Sequence, residues 1–322
     1  MTTTSSSPLL TVRGLTADVP RARLVDGVQL DIAAGEFLAL VGESGSGKSV
    51  TARALTRLDP DVVLGGEVLL DGRNLLALPE RELRAVRGGQ VGMVFQDPLR
   101  AFNPVRTVGV QVAEPLLLRG TPRRQALDRA AELLDDMGVP RARERLTAYP
   151  HELSGGMRQR AAIAMALIGG PRLLVADEPT TALDVRVQEK VLALIRKAGD
   201  ERGLGVLFIT HDLGLVAGYA DRVCVMYSGR LVEQAETEAL FTHPRHPYTR
   251  DLLAAVPRLD RRGAELVAIP GSAPAPERRP AGCAYHPRCA QRLDRCRTET
   301  PALRASAACH LLDPVPEEVP TA

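Results

Sequence analysis

Short runs of apolar and β-branched residues, separated by turn residues, make up the first part of the chain. They lie at residues 9–15, 24–32 and 36–42, and their length and composition predict β-strands. From Ser44 onward, segments with apolar residues at helical spacing alternate with short, continuously apolar runs. The sequence therefore predicts a strand-rich start followed by alternating helices and strands.

The alternating part has two kinds of element. Helices are predicted over residues 47–58, 79–86, 108–118, 123–137, 154–168 and 185–202. Strands are predicted over residues 66–72, 91–97, 172–178 and 205–211, and a strand-turn-strand unit over residues 221–234. Continuously apolar strands such as 173–176 and 206–209 are typical of a parallel sheet that is buried on both faces. The pattern predicts an α/β fold with a mainly helical insertion between about residues 96 and 168.

Composition excludes several classes of protein. The 322 residues are 45% hydrophobic and 25% charged, as in an ordinary globular protein. No apolar run approaches the roughly 18 residues of a membrane span, and residues 1–10 lack the features of a secretion signal, so we expect the protein to stay in the cytosol. A net charge of +2 and an aromatic content of 3% argue against a nucleic-acid partner.

A glycine-rich segment after the predicted strand 36–42 matches a phosphate-binding loop. The loop and the start of the following helix are Gly42, Glu43, Ser44, Gly45, Ser46, Gly47, Lys48, Ser49 and Val50. In such a loop the backbone N–H groups surround the phosphates of a nucleotide, the lysine reaches the terminal phosphates, and the serine hydroxyl ligates Mg²⁺. The alternative is a glycine-rich turn, which the flanking strand and helix argue against.

Two carboxylates end the apolar strand 172–178. Adjacent side chains in a strand point in different directions, so the two residues can divide the work. Asp177 would hold Mg²⁺ through its water shell, and Glu178 would polarise the attacking water. A strand that ends in Asp-Glu can also be a solvated turn.

A second helix begins with a Ser-Gly-Gly sequence at Ser154, Gly155 and Gly156. Backbone amides and the helix dipole at such a start can bind phosphate. A simple helix cap by Ser154 is the alternative interpretation.

Six elements in a fixed order resemble the nucleotide-binding subunit of an ATP-binding cassette (ABC) transporter. They are GESGSGKS (42–49), Gln96, LSGGMRQR (153–160), LLVADEP (173–179), Ala182-Leu183-Asp184 and His211. The resemblance covers about residues 9–257. It implies a phosphate-loop ATPase core with a strand-rich N-terminal subdomain, a helical signature subdomain and a small Cys-rich C-terminal extension. The corresponding boundaries are a cassette over residues 8–257 and a Pro-rich linker with a Cys-rich module over residues 258–322.

The resemblance also assigns roles to single residues. ATP is the expected substrate and Mg²⁺ its metal, held by Ser49, Gln96 and Asp177. Lys48, Gln96, Glu178 and His211 are the expected catalytic set. Two cassettes of this family pack head to tail, so the signature residues Leu153, Ser154, Gly155, Gly156 and Gln159 would serve the ATP of a partner subunit, and Asp184 would couple the two sites. Many cassettes stack an aromatic residue on adenine where this chain has Val19, which predicts a weaker hold on the base.

Three further segments are similar to the branch of dipeptide and oligopeptide importers, which also includes nickel importers. They are residues 148–152, 241–257 and the tail GCAYHPRCAQRLDRC (282–296). Residues 241–257 could instead be a helix entry with Pro247 in the first turn. The branch implies two membrane permeases, a second and non-identical cassette, an external binding protein, and a place on the cytoplasmic face of the membrane. Residues 149–152 are the expected contact with a permease, and a soluble ATPase of repair or translation is the rival class.

Four cysteines are concentrated near the C-terminus. Cys283, Cys289, Cys296 and Cys309 have five, six and twelve residues between them, unlike the paired spacing of zinc ribbons. This irregular spacing favours a 4Fe-4S cluster, and the alternatives are Zn²⁺ and unmetallated thiols. His286 and His310 are the reserve ligands. Cys224 lies in an apolar strand and is predicted to be a core residue.

Overall fold

Ten strands form two sheets in the computed structural model, which describes residues 7–180, 183–255, 268–304 and 306–312, the side chains of 99 and 100 aside. Ala182, Pro257 and the neighbouring part of the predicted linker lie outside these ranges. The strands are Leu10–Val19 (β1), Ala22–Ile32 (β2), Phe37–Val41 (β3), Val63–Leu70 (β4), Arg73–Asn74 (β5), Val91–Val94 (β6), Leu173–Asp177 (β7), Gly205–Ile209 (β8), Arg222–Tyr227 (β9) and Arg230–Glu236 (β10).

The helices flank and connect these strands. They are Lys48–Ala54 (α1), Glu80–Arg87 (α2), Val108–Leu118 (α3), Arg123–Asp136 (α4), Ala142–Arg145 (α5), Gly155–Leu167 (α6), Val185–Arg202 (α7), Leu213–Tyr219 (α8), Thr237–Thr242 (α9) and Pro247–Ala254 (α10). Pro247 is the first residue of α10, as its fixed backbone angle allows. The short helix α8 is an element that the sequence pattern did not predict.

The larger sheet has the strand order β10-β9-β3-β8-β7-β6. All of its neighbouring pairs are parallel except β9–β10, which forms an antiparallel hairpin. Every residue of β3, β7 and β8 is buried. Helices of the insertion and α7 pack on one face of the sheet, and the smaller sheet packs on the other together with α1 and α2. The parallel sheet predicted from the continuously apolar strands is therefore present, with one antiparallel strand at its edge.

The smaller sheet has the order β2-β1-β4-β5 and is antiparallel throughout. It contains the predicted N-terminal strands. Between β6 and β7 the chain forms α3 to α6, whose apolar residues share one core with one face of the larger sheet. The mixed α/β fold and the helical insertion agree with the sequence prediction.

The helix after the glycine-rich loop is shorter than predicted. It ends at Ala54 instead of residue 58, because Arg57 has a left-handed φ of 52°. The N–H of Leu58 then donates to the carbonyl of Arg53 at 3.1 Å and that of Arg57 to Ala54 at 3.1 Å. This pair of bonds is a Schellman motif, which satisfies the last carbonyls of the helix and stops it.

Described residues of the C-terminal segment, from 268 onward, pack on the larger sheet. Ala284, Tyr285 and Cys289 belong to the same apolar cluster as residues of β3, β9 and α10. Arg279 lies against the β2 region, where its Nη1 is 3.1 Å from Asp26 Oδ2. The described C-terminal segment thus shares its core with the larger sheet.

Candidate active site

The glycine-rich loop leaves the carboxyl end of β3 and leads into α1. Gly47 precedes the helix with a φ of 105°, in a region that residues with a side chain rarely adopt. A Cβ on Gly42 would lie 2.1 Å from the carbonyl oxygen of Met226, at the end of β9. A Cβ at Gly45 would meet no atom within 4 Å, so the outer side of the loop is open. Glycine is therefore required at position 42, where the loop passes β9, and the space beside Gly45 is open.

Lys48 lies across the loop with its ammonium group against backbone oxygens. Its Nζ donates to the carbonyl of Gly42 at 2.7 Å and to that of Glu43 at 2.9 Å. The residue is only 7% exposed, and this burial lowers the pKa of the ammonium group from its ordinary value. The carboxylates of Glu178 and Asp177 oppose that shift. Lys48 is therefore close to both residues that end β7.

Ser49 connects α1 to β7. Its hydroxyl donates to Oδ1 of Asp177 at 3.0 Å. Asp177 is buried, and burial raises the pKa of its carboxyl group. A hydroxyl and a carboxylate beside a lysine form a set of oxygen donors of the kind that Mg²⁺ prefers.

Glu178 follows Asp177 in a left-handed conformation with a φ of 47°. Such a conformation costs a residue with a side chain on the order of 1–3 kcal/mol and is concentrated at functional sites. The N–H of Glu178 donates to the carbonyl of Ile209 at 2.9 Å, which holds the turn against the end of β8. Asp177 and Glu178, at the end of β7, thus contact different residues, as predicted for adjacent side chains of a strand.

Gln96 and His211 contact the two oxygens of the Glu178 carboxylate. Nε2 of Gln96 donates to Oε2 at 3.2 Å, and Nδ1 of His211 lies 3.2 Å from Oε1. His211 follows β8, and Asp212 caps α8 directly after it by accepting from the N–H groups of Gly214 and Leu215. Neighbouring parallel strands therefore bring Gln96, Glu178 and His211 to one edge of the sheet.

The signature segment lies at the start of α6, in the helical insertion. Ser154 caps this helix, and its Oγ accepts from the N–H of Met157 at 3.3 Å. A Cβ at Gly155 would meet nothing within 4 Å. Leu153 and Gln159 are buried, and Nε2 of Gln159 has no hydrogen-bond partner among the described residues. The helix cap is present, and an open backbone surface lies beside it.

The other predicted residues occupy separate places. Asp184 caps α7 by accepting from the N–H of Val187 at 3.0 Å. Val50 is half-buried in α1. Val19 is half-buried at the end of β1, opposite Ala22 of β2. In the segment before the signature, Tyr149 is 40% exposed and its ring stacks on that of His151 at 5.8 Å.

Sequence reasoning missed two residues that contact the loop from the C-terminal part of the chain. Arg288 forms a bidentate ion pair with the carboxylate of Glu43, with N–O distances of 2.8 and 2.9 Å. The hydroxyl of Tyr248 accepts from the N–H of Glu43 at 2.8 Å. Both residues lie in segments whose sequence indicates a family but no contact with the loop. Their distance from the loop in the sequence, 245 and 205 residues, left no local signal.

The C-terminal cysteines are free thiols. Burial raises the pKa of Cys283 to about 11, which favours the thiol over the thiolate that binds metals. Nδ1 of His286 and Nε2 of His310 lie 2.9 and 3.0 Å from backbone carbonyls. Within the described ranges, no group of three or more His, Cys, Asp or Glu side chains is placed to hold a metal. This arrangement gives the 4Fe-4S and Zn²⁺ predictions no support. Cys224 is fully buried in β9, as predicted.

Two family models match the chain. The ABC transporter model matches residues 25–181, and a model of the oligopeptide/dipeptide transporter C-terminal region matches residues 232–296. A putative peptide import ATP-binding protein of Brucella melitensis is 49% identical, with 93% of this chain and 94% of the relative covered. A probable peptide ABC transporter ATP-binding protein of Sinorhizobium fredii is 49% identical, with 87% of this chain and 85% of the relative covered.

Solved structures show the same architecture. A dimeric ATP-binding cassette in a post-hydrolysis state with bound ADP and phosphate is 29% identical. It matches with a TM-score of 0.66 over 71% of this chain and 98% of its own. A dimeric bacterial ABC transporter cassette is 30% identical and matches with a TM-score of 0.65 over the same shares of the two chains.

Proposed function

This chain belongs to the ABC transporter family of ATPases, and from that premise we propose that it hydrolyses ATP to drive the import of peptides through a membrane permease. One observation carries the ATPase site. The residues that follow β6, β7 and β8 meet at the carboxylate of Glu178, to which Gln96 donates a hydrogen bond and from which His211 Nδ1 lies 3.2 Å away. The adjacent Asp177 accepts a hydrogen bond from Ser49 at the start of the helix after the glycine-rich loop. This convergence is the set that phosphoryl transfer needs.

ATP and Mg²⁺ fit the donors that the site presents. The open side of the loop leaves room for the phosphates beside Gly45. The ammonium group of Lys48 already lies against backbone oxygens, so a phosphate oxygen can replace a carbonyl as its acceptor. Ser49, Gln96 and Asp177 would hold Mg²⁺, which neutralises charge on the β- and γ-phosphates.

Glu178 is the proposed general base. Its carboxylate accepts a proton from the attacking water while the water oxygen bonds to the γ-phosphorus and the bond to the ADP oxygen breaks. The amide of Gln96 and the ring of His211 fix the two carboxylate oxygens. His211 is 63% exposed, which leaves it accessible to the γ-phosphate.

The signature residues are assigned to the ATP of a second cassette. The open backbone at Gly155 and the cap at Ser154 leave N–H groups available at the start of α6. Asp184, Gln159 and Leu153 would support the interface between the two subunits. The dimeric cassettes among the structural relatives support this assembly.

Peptides are the proposed substrate because of the relatives' names and the C-terminal region. Both quoted relatives are named for peptide transport, and residues 232–296 match the oligopeptide/dipeptide transporter C-terminal region. None of the described helices is long and apolar enough to cross a membrane. We place the subunit on the cytoplasmic face, with two permeases, a non-identical second cassette and an external binding protein. Residues 149–152 are assigned to the permease contact.

Uptake by cells with the complete transporter tests this proposal. Cells carrying either the native chain or the Glu178→Gln variant receive labelled dipeptide, a longer peptide or Ni²⁺. Loss of peptide uptake in the variant, with normal uptake in the exposed control Glu277→Gln, is the expected result. Loss of only Ni²⁺ uptake would replace peptide by nickel as the substrate, and uptake unaffected throughout would contradict import of these substrates.

Metal binding by the C-terminal cysteines is a separate hypothesis. A 4Fe-4S cluster, or Zn²⁺ as the alternative, would be held by the thiolates of these cysteines. No step of the ATPase proposal depends on such a metal. Iron, sulfide and zinc analysis of the protein purified without oxygen tests it, and a preparation with none of the three would contradict both forms of the hypothesis.

A further inference from the structure

We propose that Arg288 and Tyr248 are positioning residues for ATP binding, which hold the glycine-rich loop in its binding conformation through Glu43. The proposal rests on the proposed function, in which this loop binds the phosphates of ATP. It assigns a task in the ATPase cycle to α10 and the C-terminal segment, which lie outside the group formed by Gln96, Glu178 and His211.

The ion pair between Arg288 and Glu43 has a fixed geometry. Nη1 of Arg288 donates to Oε2 of Glu43 at 2.8 Å, and Nη2 donates to Oε1 at 2.9 Å. Two parallel bonds of this kind fix both the distance and the orientation of the carboxylate. A lysine could supply the positive charge but not the two parallel hydrogen bonds.

The guanidinium group of Arg288 is itself held firmly. Its Nε donates to the carbonyl of Pro270 at 2.7 Å. The group lies 5.8 Å from the ring centroids of Tyr227 and Tyr285, and the Arg288 side chain is only 7% exposed. The Glu43 side chain is 24% exposed, so the pair is partly buried, and a partly buried ion pair is screened less by salt than a pair at the surface. Arg288 can therefore serve as a rigid anchor for the loop.

Tyr248 holds the backbone of the same loop residue. Its hydroxyl accepts from the N–H of Glu43 at 2.8 Å. The ring is fully buried and packs 4.6 Å from that of Tyr227. The side chain and the amide of Glu43 are thus both fixed by residues from beyond β10.

The contact reaches Lys48 through a single residue, Glu43. The carbonyl of Glu43 accepts from Nζ of Lys48 at 2.9 Å. Glu43 is therefore bonded at its N–H, its carboxylate and its carbonyl. Movement of Glu43 would displace the loop backbone and the acceptor of the Lys48 ammonium group together.

Such an anchor favours ATP binding by ordering the loop in advance. The loop contains Gly45 and Gly47, which have more conformational freedom than other residues. If only a fraction of the molecules has the loop in its binding conformation, the apparent Kd rises by the inverse of that fraction. Bound ATP orders the loop again, so the rate at saturating ATP should change little.

The experiment measures two quantities for the full-length chain. The Kd for MgATP is determined by calorimetry, and kcat at saturating ATP is determined in the assembled transporter. For Arg288→Gln we expect the Kd to rise about tenfold and kcat to stay within about twofold. Arg288→Lys should restore part of the affinity. Arg297→Gln is the matched control, since Arg297 is an exposed arginine of the same segment.

A double-mutant cycle separates positioning from a general structural role. Glu43→Gln and Arg288→Gln should each raise the Kd, and the double variant should be no worse than the weaker-binding single variant. Additive effects would contradict the proposal. So would an unchanged Kd in folded Arg288→Gln, or a fall in kcat at unchanged Kd.

Two further variants keep the test decisive. Tyr248→Phe removes only the hydroxyl, and it should raise the Kd even if Arg288→Gln does not fold; an unchanged Kd would then overturn the proposal. Lys48→Ala reports on the proposed function itself. If Lys48→Ala binds MgATP normally, the loop is not the ATP site and the proposed function fails. If Lys48→Ala loses affinity while the Arg288 and Tyr248 variants do not, only the positioning role fails.

Discussion

Nδ1 of His211 lies 3.2 Å from Oε1 of Glu178, so the ring that follows β8 fixes the carboxylate that follows β7. The other oxygen of Glu178 accepts from the amide of Gln96. The proposed base is thus oriented from both neighbouring strands. This relationship separates residues needed for the rate of hydrolysis from those needed for binding.

Removal of the His211 ring should reduce the rate far more than the affinity. For His211→Ala we expect kcat to fall about a hundredfold or more, as for the loss of a group that orients acid–base chemistry. The Kd for ATP should stay within about threefold, because the loop is unchanged. Phosphate release and ATP binding measure the two quantities. The exposed His243, changed in the same way, is the control, and an unchanged kcat in His211→Ala would refute this role.

Replacement of Asp177 should affect the dependence on Mg²⁺. Asp177 accepts from Ser49, and Asp177→Asn removes the charge while it keeps the shape. Loss of such a supporting group typically weakens metal affinity 10- to 100-fold, so half-maximal activation should require correspondingly more Mg²⁺. A titration of Mg²⁺ at fixed ATP measures the change. Asp61→Asn, at an exposed position, should behave as the native chain, and equal Mg²⁺ requirements for the two variants would contradict the assignment.

A methyl group at Gly155 should leave the subunit folded but inactive. The Cβ would meet nothing within 4 Å of it in this chain, and alanine favours the helix by up to about 1 kcal/mol over glycine. Gly155→Ala should therefore unfold at the same or a higher temperature, bind ATP normally, and lose hydrolysis because the added group faces the second cassette. Gly218→Ala in α8 is the matched control. Full hydrolysis by Gly155→Ala would exclude a close approach by a partner at this point.

Stability should fall as the pH is lowered below about 6.5, because His246 is buried. Burial lowers the pKa of His246 from 6.5 to about 4, and its Nδ1 accepts from the N–H of Tyr248 at 3.0 Å. Between these two values the unfolded chain binds a proton that the folded chain does not bind. The stabilisation is complete above pH 6.5 and is lost progressively towards pH 4.

The fall attributable to His246 should be at most about 3 kcal/mol, from about 1.4 kcal/mol for each pKa unit. His246→Asn keeps an acceptor at the start of α10 without a titrating ring. Urea unfolding at several pH values measures the difference between the native chain and this variant. Identical pH profiles would show that His246 does not contribute.

The sequence predicted the site where local pattern and chemistry coincide. Lys48 and Ser49 open the helix after a glycine-rich loop, Asp177 and Glu178 stand at the end of an apolar strand, and parallel strands bring their carboxyl ends to one edge. Gln96 and His211 needed the family resemblance, since a single glutamine or histidine after a strand has no pattern of its own. In the structure both residues contact the carboxylate of Glu178.

The contacts with Glu43 could not be predicted from the sequence. Arg288 and Tyr248 reach the loop only after the chain has packed α10 and the C-terminal segment on the sheet. An arginine and a tyrosine at these separations carry no periodicity. The early end of α1 was also missed, because Arg57 adopts the left-handed conformation that usually identifies a glycine. The contacts with Glu43 depend on tertiary structure that no local window contains.

Glu43 and Arg288 are 245 residues apart, so the ribosome adds them to the chain at different times. A ribosome adds roughly 5–20 residues per second, and N-terminal units generally fold first. The loop is therefore translated roughly ten to fifty seconds before its anchor. For most of that interval β3 also lacks its neighbours β8 and β9, and the nascent chain holds its phosphate loop without Arg288, so it should bind nucleotide weakly. The late arrival of the anchor would keep unfinished subunits from taking up ATP before they can join a transporter.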